Sequence, residues 1–374
     1  MDVIARASLD RMTIGVIGNA RAVAAVQRAL AGDAPPHAWL FVGPGGVGKA
    51  TLARWLAQVV NCEPVVSGPS TPPETVRPCG VCSQCQRIAR GIHADVVAVT
   101  IPPPEDGVQH KDISVDQIRD VERAVALAPF EGRTRVVIID PADRLSAGAQ
   151  NAFLKTLEEP PPNAVFVLIA AREDALLPTV RSRCRRFEFG LVPAAEIEQA
   201  LLALSGSEDP DLRSDKDLHV AKEQARLLSR LAIGRPGRAL ELASDPSRLE
   251  KRRQALEQAS ALGGMPMGDL MDLSERLSRR FREDREDVLE RLAAWLDWWR
   301  DVLLVRSGAP DGVTAFDMAE ALGEDASRYE RAQVLAFVQA LMRCRERLQA
   351  NVQARIALDA LVVQAPRSMA AASH

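Results

Sequence analysis

The sequence lacks an excess of charge of either sign. Its 374 residues include 47 Lys and Arg and 50 Asp and Glu, so the formal net charge at pH 7 is only -3. Proteins that bind nucleic acid on their own usually carry a strongly basic domain or face. The balance argues against a stand-alone nucleic-acid binder, and any contact with DNA is expected to be local or made through partner proteins.

Long apolar runs are also missing. No stretch approaches the roughly 20 apolar residues that a helix needs to cross a bilayer. The segment that starts at Met1 has neither the apolar core nor the small-residue cleavage site of a secretory signal. We therefore expect a cytoplasmic protein, in a compartment where thiols stay reduced. The five histidines are scattered, without the spacing of a metal site or a catalytic triad.

Short apolar runs alternate with helix-like segments between residues 19 and about 189. The predicted strands cover residues 39–42, 95–99, 135–139, 165–169 and 186–189. Such alternation predicts a parallel β-sheet covered by helices. Between the second and third strands, Ser114 and Gln117 have the spacing of a capping box, which predicts a helix beginning at Val115.

The strand pattern stops after Gly190, and only helical patterns follow. We predict three parts: an α/β domain over residues 1–190, a small helical lid domain over 191–245, and an all-α C-terminal domain over 246–374. A chain of this length can form two or three domains with separate cores.

A glycine-rich segment lies between the first predicted strand and the next predicted helix. Its sequence is Gly43-Pro44-Gly45-Gly46-Val47-Gly48-Lys49-Ala50-Thr51. In such a P-loop the backbone N–H groups surround phosphates, the helix N-terminus adds partial positive charge and the lysine reaches the terminal phosphates. The segment therefore predicts a nucleotide site formed by Gly43, Gly45, Gly46, Gly48, Lys49 and Thr51. A simple glycine turn before a helix is the alternative.

Only some of the groups that hold magnesium at a P-loop are present in this sequence. Ala50 follows the lysine where a P-loop has Ser or Thr to ligate magnesium, and Thr51 lies about 100° further round the helix. Asp140 comes at the end of a predicted buried strand and fits the acid that helps to hold magnesium. Asp143 is expected to cap the following helix. Phosphate binding should survive, but placement of the metal should be weakened.

Four of the six cysteines fall in one short stretch. Cys62, Cys79, Cys82 and Cys85 have the spacing C-x16-C-x2-C-x2-C. Short CxxC turns place two thiolates on one edge of a metal, and a distant cysteine completes a tetrahedron. A ferredoxin-type iron–sulfur cluster would need another cysteine soon after, which this sequence lacks, and a disulfide is disfavoured in a reducing compartment. We therefore predict a structural Zn²⁺ site.

Three later segments are more distinctive than the P-loop. They cover residues 136–145, 151–161 and 176–184, and they include the runs Leu154-Lys155-Thr156-Leu157-Glu158-Glu159-Pro160-Pro161 and Ser182-Arg183-Cys184. Together with the cysteine module and residues 234–240, they resemble the bacterial clamp-loader family of AAA+ proteins. The resemblance covers most of the chain and is weakest over residues 246–350.

The resemblance implies a hetero-oligomer that opens a ring-shaped sliding clamp and places it on primed DNA during replication. It implies an AAA+ P-loop domain with a zinc module inserted at residues 62–85, then a lid and a C-terminal collar. ATPase subunits, a further loader subunit, the clamp and the DNA would be the partners.

In this family the arginine of the Ser-Arg-Cys element points into the ATP site of the neighbouring subunit. That residue is Arg183 here. An arginine supplied in trans stabilises transition-state charge and can contribute about 10³–10⁵-fold in rate. The alternative is an ordinary surface arginine, because Arg181, Arg185 and Arg186 form a basic cluster around it.

Several positions depart from the pattern of active ATPases in the family. These enzymes have a glutamate after the strand-end acid to orient the attacking water, but Pro141 stands there. A group of that kind contributes about 10²–10⁴-fold in rate. Active members also have a polar sensing residue at the end of a strand, where this chain has Ala170 and Ala171. They have a sensing arginine in the lid, and the aligned position here is Gly237. We expect a non-hydrolysing subunit that binds ATP passively at most, the alternative being an active ATPase subunit.

Two features of the C-terminal part have open interpretations. Trp295, Trp298 and Trp299 share one face of a predicted helix, which is compatible with core packing and with a contact between subunits. The basic run over residues 279–282 is followed by several acids, so we interpret it as a solvated helix face rather than a DNA contact.

Overall fold

The protein was analysed as a computed structural model, which describes residues 15–63, 77–102, 110–205, 220–309, 312–349 and 353–367. The chain divides into two compact units, Met1–Ser244 and Asp245–His374. Parts of all three predicted domains lie outside the described residues, including 64–76 of the predicted zinc module and 206–219 of the predicted lid.

The first unit contains a five-stranded parallel sheet with the order β2-β3-β4-β1-β5. The strands are β1 (Ala38–Val42), β2 (Val96–Val99), β3 (Arg135–Ile139), β4 (Ala164–Ala170) and β5 (Arg185–Glu188). The predicted parallel sheet is confirmed, and each predicted strand agrees with the structure to within one residue at either end.

Helices cover both faces of this sheet. Along β1, Trp39 and Phe41 belong to one buried apolar cluster, whereas Leu40 and Val42 belong to another. Successive side chains of a strand point to opposite faces, so a continuous apolar run fills two cores. The helices of this unit are α1 (Ala20–Ala31), α2 (Lys49–Asn61), α3 (Ser83–Ala89), α4 (Val115–Val125), α5 (Ala147–Glu158), α6 (Pro178–Arg181), α7 (Ala194–Ser205), α8 (Lys222–Leu231) and α9 (Pro236–Ser244).

Two helix N-termini test predictions made from side-chain chemistry. The capping box before α4 is confirmed: the Ser114 side chain accepts from the Gln117 backbone, and the Gln117 side chain accepts from the Ser114 backbone. The expectation that Asp143 caps the next helix is wrong. Ser146 caps α5 by accepting from the Ala149 N–H, because the chain first forms a short 3-10 turn over Ala142–Arg144.

The predicted lid region contributes α7, α8 and α9, and all three belong to the first unit. The separation of residues 1–245 into an α/β domain and a lid domain therefore stays a prediction.

In the second unit all the described regular structure is helical. Its α-helices are α10 (Pro246–Ala261), α11 (Met267–Glu283), α12 (Arg285–Arg306), α13 (Ala319–Arg328), α14 (Arg331–Gln349) and α15 (Ala354–Val362). Across both units, no helix among the described residues has the length and apolar character needed to traverse a bilayer.

The three tryptophans of α12 form the centre of the second unit. Trp295, Trp298 and Trp299 are fully buried. The Trp299 ring makes edge contacts with Tyr329 and Phe337, at centroid distances of 5.3 and 5.4 Å. Core packing is therefore the correct interpretation of this face. The side chains that could anchor another subunit are already covered by their own chain.

The basic run near the end of α11 is a solvated helix face, as predicted. Arg279 pairs with Glu275 one turn earlier, and Arg280 lies 3.3 Å from both Asp284 and Asp287. These partners neutralise the positive charge of Arg279 and Arg280 locally.

Candidate nucleotide and metal sites

The glycine-rich loop joins β1 to the N-terminus of α2, which is the arrangement that a P-loop requires. Three of its glycines adopt left-handed backbone conformations, with φ of 147° at Gly43, 75° at Gly46 and 95° at Gly48. A Cβ at Gly43 would lie 2.2 Å from the carbonyl oxygen of Phe189, whereas a Cβ at Gly45 would meet nothing within 4 Å. Packing within the fold thus requires glycine at Gly43 but not at Gly45.

Lys49, the first residue of α2, is buried and bends back onto the loop. Its Nζ donates to the carbonyl oxygen of Gly43 and, at 2.6 Å, to that of Pro44. Burial lowers the pKa of Lys49, and Arg235 lowers it further, while Asp140 and Asp143 oppose the shift. The ammonium group thus donates its hydrogen bonds to carbonyl oxygens of the same loop that would hold a phosphate.

The beginning of α9 lies directly against the same loop. The backbone N–H of Gly237 donates to the Gly46 carbonyl oxygen at 2.8 Å. A Cβ at Gly237 would lie 3.2 Å from that oxygen, closer than most side chains could approach. At the position aligned with the family's sensing arginine, this chain thus makes a backbone contact with its own P-loop.

The groups expected around a magnesium ion are only partly present. Asp140 follows β3, and its pKa is raised by burial and by neighbouring Asp143, against the effect of Lys49. Ala50 packs its methyl group against the apolar cluster beneath α2, and Thr51 is half-buried one position further on. The arrangement brings a lysine and an acid to the loop without a hydroxyl beside the lysine.

Pro141 follows Asp140 at the position where the resemblance predicts a water-orienting acid, and it has no ionisable group and no N–H. The nearby Asp143 is already engaged: its Oδ1 accepts from the backbone N–H of Ala171 at 3.2 Å. Asp143 thus ties the turn after β3 to the end of β4, where the sequence has alanines instead of a polar sensing residue. Among the described residues at this loop, Asp143 is engaged by the backbone and no carboxylate follows Asp140 directly.

Arg183 lies between α6 and β5, and β5 is an edge strand of the sheet. Its Nη1 donates to the Thr179 carbonyl oxygen at 2.8 Å, and its Nη2 donates to the Glu158 carboxylate at the end of α5. Its side chain is one-third exposed. The guanidinium is therefore held in place by its own chain while part of it stays open to solvent.

The structure brings the four predicted cysteines together. One sulfur atom from each of Cys62, Cys79, Cys82 and Cys85 lies within 4.8 Å of the others, in an arrangement that could hold a metal ion. Cys62 follows the last residue of α2, and Cys85 lies in α3; both are fully buried. The set combines a distant cysteine with two CxxC steps, as the spacing predicted.

Backbone N–H groups point at the sulfurs of this cluster. The N–H of Cys79 donates to Cys62 Sγ at 3.2 Å, and that of Cys82 donates to Cys79 Sγ at 3.3 Å. Burial raises the pKa of Cys62 and of Cys85. Although burial opposes it, the N–H of Cys85 helps to lower the pKa of Cys82 to about 7. Four sulfurs close together, two of them in fully buried residues, form a donor set that a divalent cation such as Zn²⁺ fits.

A loop before β3 anchors the cysteine cluster to the sheet. Gln84, between two of the cysteines, donates to the Glu131 carbonyl oxygen at 3.1 Å, and Arg87 pairs with the Glu131 carboxylate. At the end of α2, Gln58 donates to the Cys85 carbonyl oxygen at 3.0 Å. The cluster is therefore joined to two parts of the α/β core.

Asp95 in turn holds that loop in place. Its buried carboxylate accepts from the backbone N–H groups of Phe130, Glu131 and Gly132, each at 2.8 Å, and from Arg135. Burial alone would raise the pKa of Asp95, but these donors hold it well below its ordinary value. The Asp95 carboxylate therefore stabilises this loop, and the sequence analysis did not predict that role.

Two partners of predicted site residues were also missed by the sequence analysis. Glu158 was part of the Leu-Glu-Glu-Pro-Pro run, but nothing marked it as the partner of Arg183. Gly237 was noted for the arginine it lacks, and its backbone bond to the P-loop was not foreseen. In the structure the backbone just before this close approach is left-handed at Ile233 (φ 47°) and Gly234 (φ 71°).

Comparisons with known proteins agree on one group of relatives. The protein-family model described as DNA polymerase III, delta subunit, matches residues 18–192. DNA polymerase III subunit delta' of Pseudomonas aeruginosa is 31% identical over 335 residues, which are 88% of this chain and 91% of that relative. Subunit tau of Bacillus subtilis is 36% identical over 182 residues, 49% of this chain but only 30% of the relative.

Among solved structures, a DNA polymerase III gamma subunit-related protein from Thermotoga maritima aligns over 91% of this chain and 98% of its own. The sequence identity is 18% and the TM-score is 0.39. A score of that size supports no argument about function.

Proposed function

Because the chain belongs to the family of DNA polymerase III delta' subunits, we propose that it is a clamp-loader subunit that does not hydrolyse ATP itself. In this proposal it is a component of the DNA polymerase III holoenzyme and helps to load the sliding clamp on primed DNA in the bacterial cytoplasm. Its partners would be the tau/gamma ATPase subunits and the delta subunit. The helical second unit would provide the collar contacts.

The observation that carries this proposal is the state of the P-loop pocket. Ala50 turns a methyl group into the apolar core where a metal-binding hydroxyl is needed, and Pro141 stands where a water-orienting acid is needed. Loss of such an acid alone costs about 10²–10⁴-fold in rate. Loss of the metal ligand adds to this, so hydrolysis in cis should be negligible.

Nucleotide binding without hydrolysis is compatible with the remaining groups. Gly43, Gly45, Gly46, Gly48, Lys49, Thr51 and Asp140 would form this passive site. To reach a phosphate, Lys49 has to exchange the carbonyl oxygens of Gly43 and Pro44 for phosphate oxygens. The Gly237 contact at Gly46 also has to yield if the phosphates approach from that side.

Arg183 would act at the ATP site of a neighbouring subunit. It is one-third exposed and its position is fixed by contacts within its own chain. A guanidinium supplied in trans stabilises the charge that develops on the transferring phosphoryl group. This chain would thus contribute to catalysis at another subunit's site.

The cysteine cluster would hold a structural Zn²⁺ ion. In such sites four thiolates surround zinc at ~2.3 Å with no open coordination position. The observed cluster offers four sulfurs close together, two of them fully buried. Cys62, Cys79, Cys82 and Cys85 would be the ligands, and the ion would fix α3 against the end of α2.

A second candidate function, an active ATPase subunit of the same complex, is favoured by one observation. The P-loop keeps its backbone shape and its lysine, and the similarity to subunit tau covers about half of this chain. ATP turnover by the isolated chain would favour this alternative.

The proposed role of Arg183 is tested in the reconstituted complex. Arg183→Ala should reduce ATP turnover by about 10³-fold or more at the site that receives the arginine, with assembly unchanged by size-exclusion chromatography. Arg186→Ala is the matched control, because Arg186 belongs to the same basic cluster but pairs with Glu173 and Glu188. Its turnover should equal that of the wild type. Unchanged turnover in Arg183→Ala would contradict the proposal.

A further inference from the structure

Arg183 is fixed by groups from two helices. Its own backbone N–H donates to the Val180 carbonyl oxygen at 3.2 Å, and its Nη1 donates to the Thr179 carbonyl oxygen at 2.8 Å. Its Nη2 donates to Glu158, which comes from α5, 25 residues earlier in the chain. Without Glu158, the described hydrogen bonds of the guanidinium would all go to residues within four positions of Arg183.

Glu158 comes from a helix that is anchored near its start to the segment before α6. It is the last residue of α5, and the preceding Leu157 is buried. On the same helix, the Gln150 side chain accepts from the Leu177 N–H at 2.7 Å and donates to the Ala175 carbonyl oxygen at 3.2 Å. These bonds fix α5 to the segment that begins α6. The carboxylate therefore has a defined position relative to Arg183.

The contacts of Arg183 leave part of its hydrogen-bonding capacity free for a ligand. A guanidinium has five N–H donors, and the contacts with Thr179, Ser182 and Glu158 occupy three of them. Glu158 is the last residue of α5, so the negative end of the helix dipole adds to the attraction of a cation to this helix end. The side chain is therefore oriented while still able to donate to phosphate oxygens.

We infer that Glu158 is a positioning residue for Arg183: it holds the guanidinium in the orientation that donates to the neighbouring subunit's nucleotide. The inference rests on the proposed trans role of Arg183. An exposed ion pair adds little to fold stability. The contact between Glu158 and Arg183 is therefore better explained by the orientation that it gives to the guanidinium. A long side chain that is ordered before assembly does not have to be ordered in the transition state.

The test uses the complex reconstituted with Glu158→Ala and Glu158→Gln. Misplacing a catalytic group by about 1 Å can cost on the order of 10²-fold in rate. We expect kcat at the ATP site that receives Arg183 to fall about tenfold or more in Glu158→Ala and less in Glu158→Gln, because the amide oxygen can still accept from Nη2. KM for ATP should not change, because ATP is bound by the neighbouring subunit. Glu159→Gln, which removes an adjacent exposed carboxylate, is the matched control and should keep the wild-type kcat.

A double-mutant cycle shows whether Glu158 acts through Arg183. If it does, Glu158→Ala combined with Arg183→Ala should have the same kcat as Arg183→Ala alone, because no guanidinium remains to be positioned. An additive loss in the double variant would overturn the inference, since Glu158 would then act by another route. If Glu158→Ala does not assemble, the same cycle with Glu158→Gln decides the question.

The outcomes separate this inference from the proposed function. A large loss in Arg183→Ala with wild-type kcat in both Glu158 variants would overturn the positioning role and leave the trans arginine in place. No loss in Arg183→Ala would overturn the proposed function itself. An equally reduced kcat in Glu159→Gln and Glu158→Ala would overturn the inference, because negative charge near α5, and not the contact with Arg183, would then set the rate.

Discussion

Helix α2 has a candidate ligand site at each of its two ends. The site at one end has only some of the expected ligand groups, whereas the site at the other end has all of them. At the N-terminus the P-loop keeps its backbone shape but has Ala50 and Pro141 in place of groups that act on a nucleotide. Immediately after the C-terminus, Cys62 belongs to a cluster in which all four thiols are present and close together. In the proposed function, the chain keeps groups that hold structure together at one end of α2 and lacks groups for hydrolysis at the other.

The shape of the P-loop survives because the fold needs it independently of any nucleotide. Gly43 lies against the Phe189 carbonyl oxygen, and Gly48 lies against Val16. These contacts join the loop to β5 and to the segment before α1. A loop with these glycines is therefore weak evidence for catalysis, whereas the residues beside Lys49 and after β3 are strong evidence about it.

The cysteine end of α2 should show the largest effect on stability. Replacing buried Cys85 by Ser, or removing metal with a chelator, is expected to lower the free energy of unfolding by about 5 kcal/mol or more, because structural zinc contributes folding energy directly. Thermal unfolding with and without chelator, together with metal analysis, measures this. Cys184→Ser lies outside the cluster and should keep full metal content. Purified wild-type protein without zinc, or with iron, would contradict the prediction.

Asp95, which holds the loop that anchors the cysteine cluster, should show the next largest effect. Asp95→Asn leaves Arg135 without its buried carboxylate and is expected to cost ~3–5 kcal/mol in the free energy of unfolding. Denaturant titration measures it. Asp120→Asn, at an exposed pair with Arg123, should change stability by less than ~0.5 kcal/mol.

The same carboxylate predicts a pH dependence. The pKa of Asp95 is lower in the folded state than in the unfolded state. Its stabilisation is therefore fully present above the unfolded pKa of ~3.9 and is lost as the pH falls below it. The difference between wild type and Asp95→Asn should shrink in acid. A constant difference between pH 7 and pH 3 would show that the donors around Asp95 do not favour its charged form.

The P-loop end of α2 should show a smaller and site-specific effect. Gly43→Ala is expected to cost ~2–3 kcal/mol, because the new Cβ would meet the Phe189 carbonyl oxygen in a left-handed backbone conformation. Gly45→Ala, with open space around it, should stay within ~0.5 kcal/mol. Chemical denaturation of both variants without nucleotide measures this. Equal costs would mean that packing does not explain why the loop keeps its shape.

Much of the fold was predictable from local patterns. Each strand of the sheet is a short run of apolar residues, and such runs determine strands largely by themselves. The Ser114 capping box and the cysteine cluster were also predictable, because their members are close in sequence or repeat at a fixed spacing. The Asp143 prediction failed because a 3-10 turn intervenes before α5, and Ser146 at the true helix start is the nearer cap.

The parts of the site that sequence could not predict are contacts between distant segments. Glu158 and Arg183 are 25 residues apart and lie on different elements. Asp95 accepts from a loop 35 to 37 residues further along the chain. Such pairs depend on how elements pack, and no local periodicity or spacing encodes them.

The most direct test of the account is ATP turnover by this purified chain, alone and after assembly with its ATPase partners. We predict no turnover above background for the isolated chain. In the complex we predict turnover that depends on Arg183 but not on Lys49, so that Lys49→Met keeps the wild-type rate. Hydrolysis by the isolated chain that Lys49→Met abolishes would contradict the account, because the pocket at the start of α2 would then be a working active site.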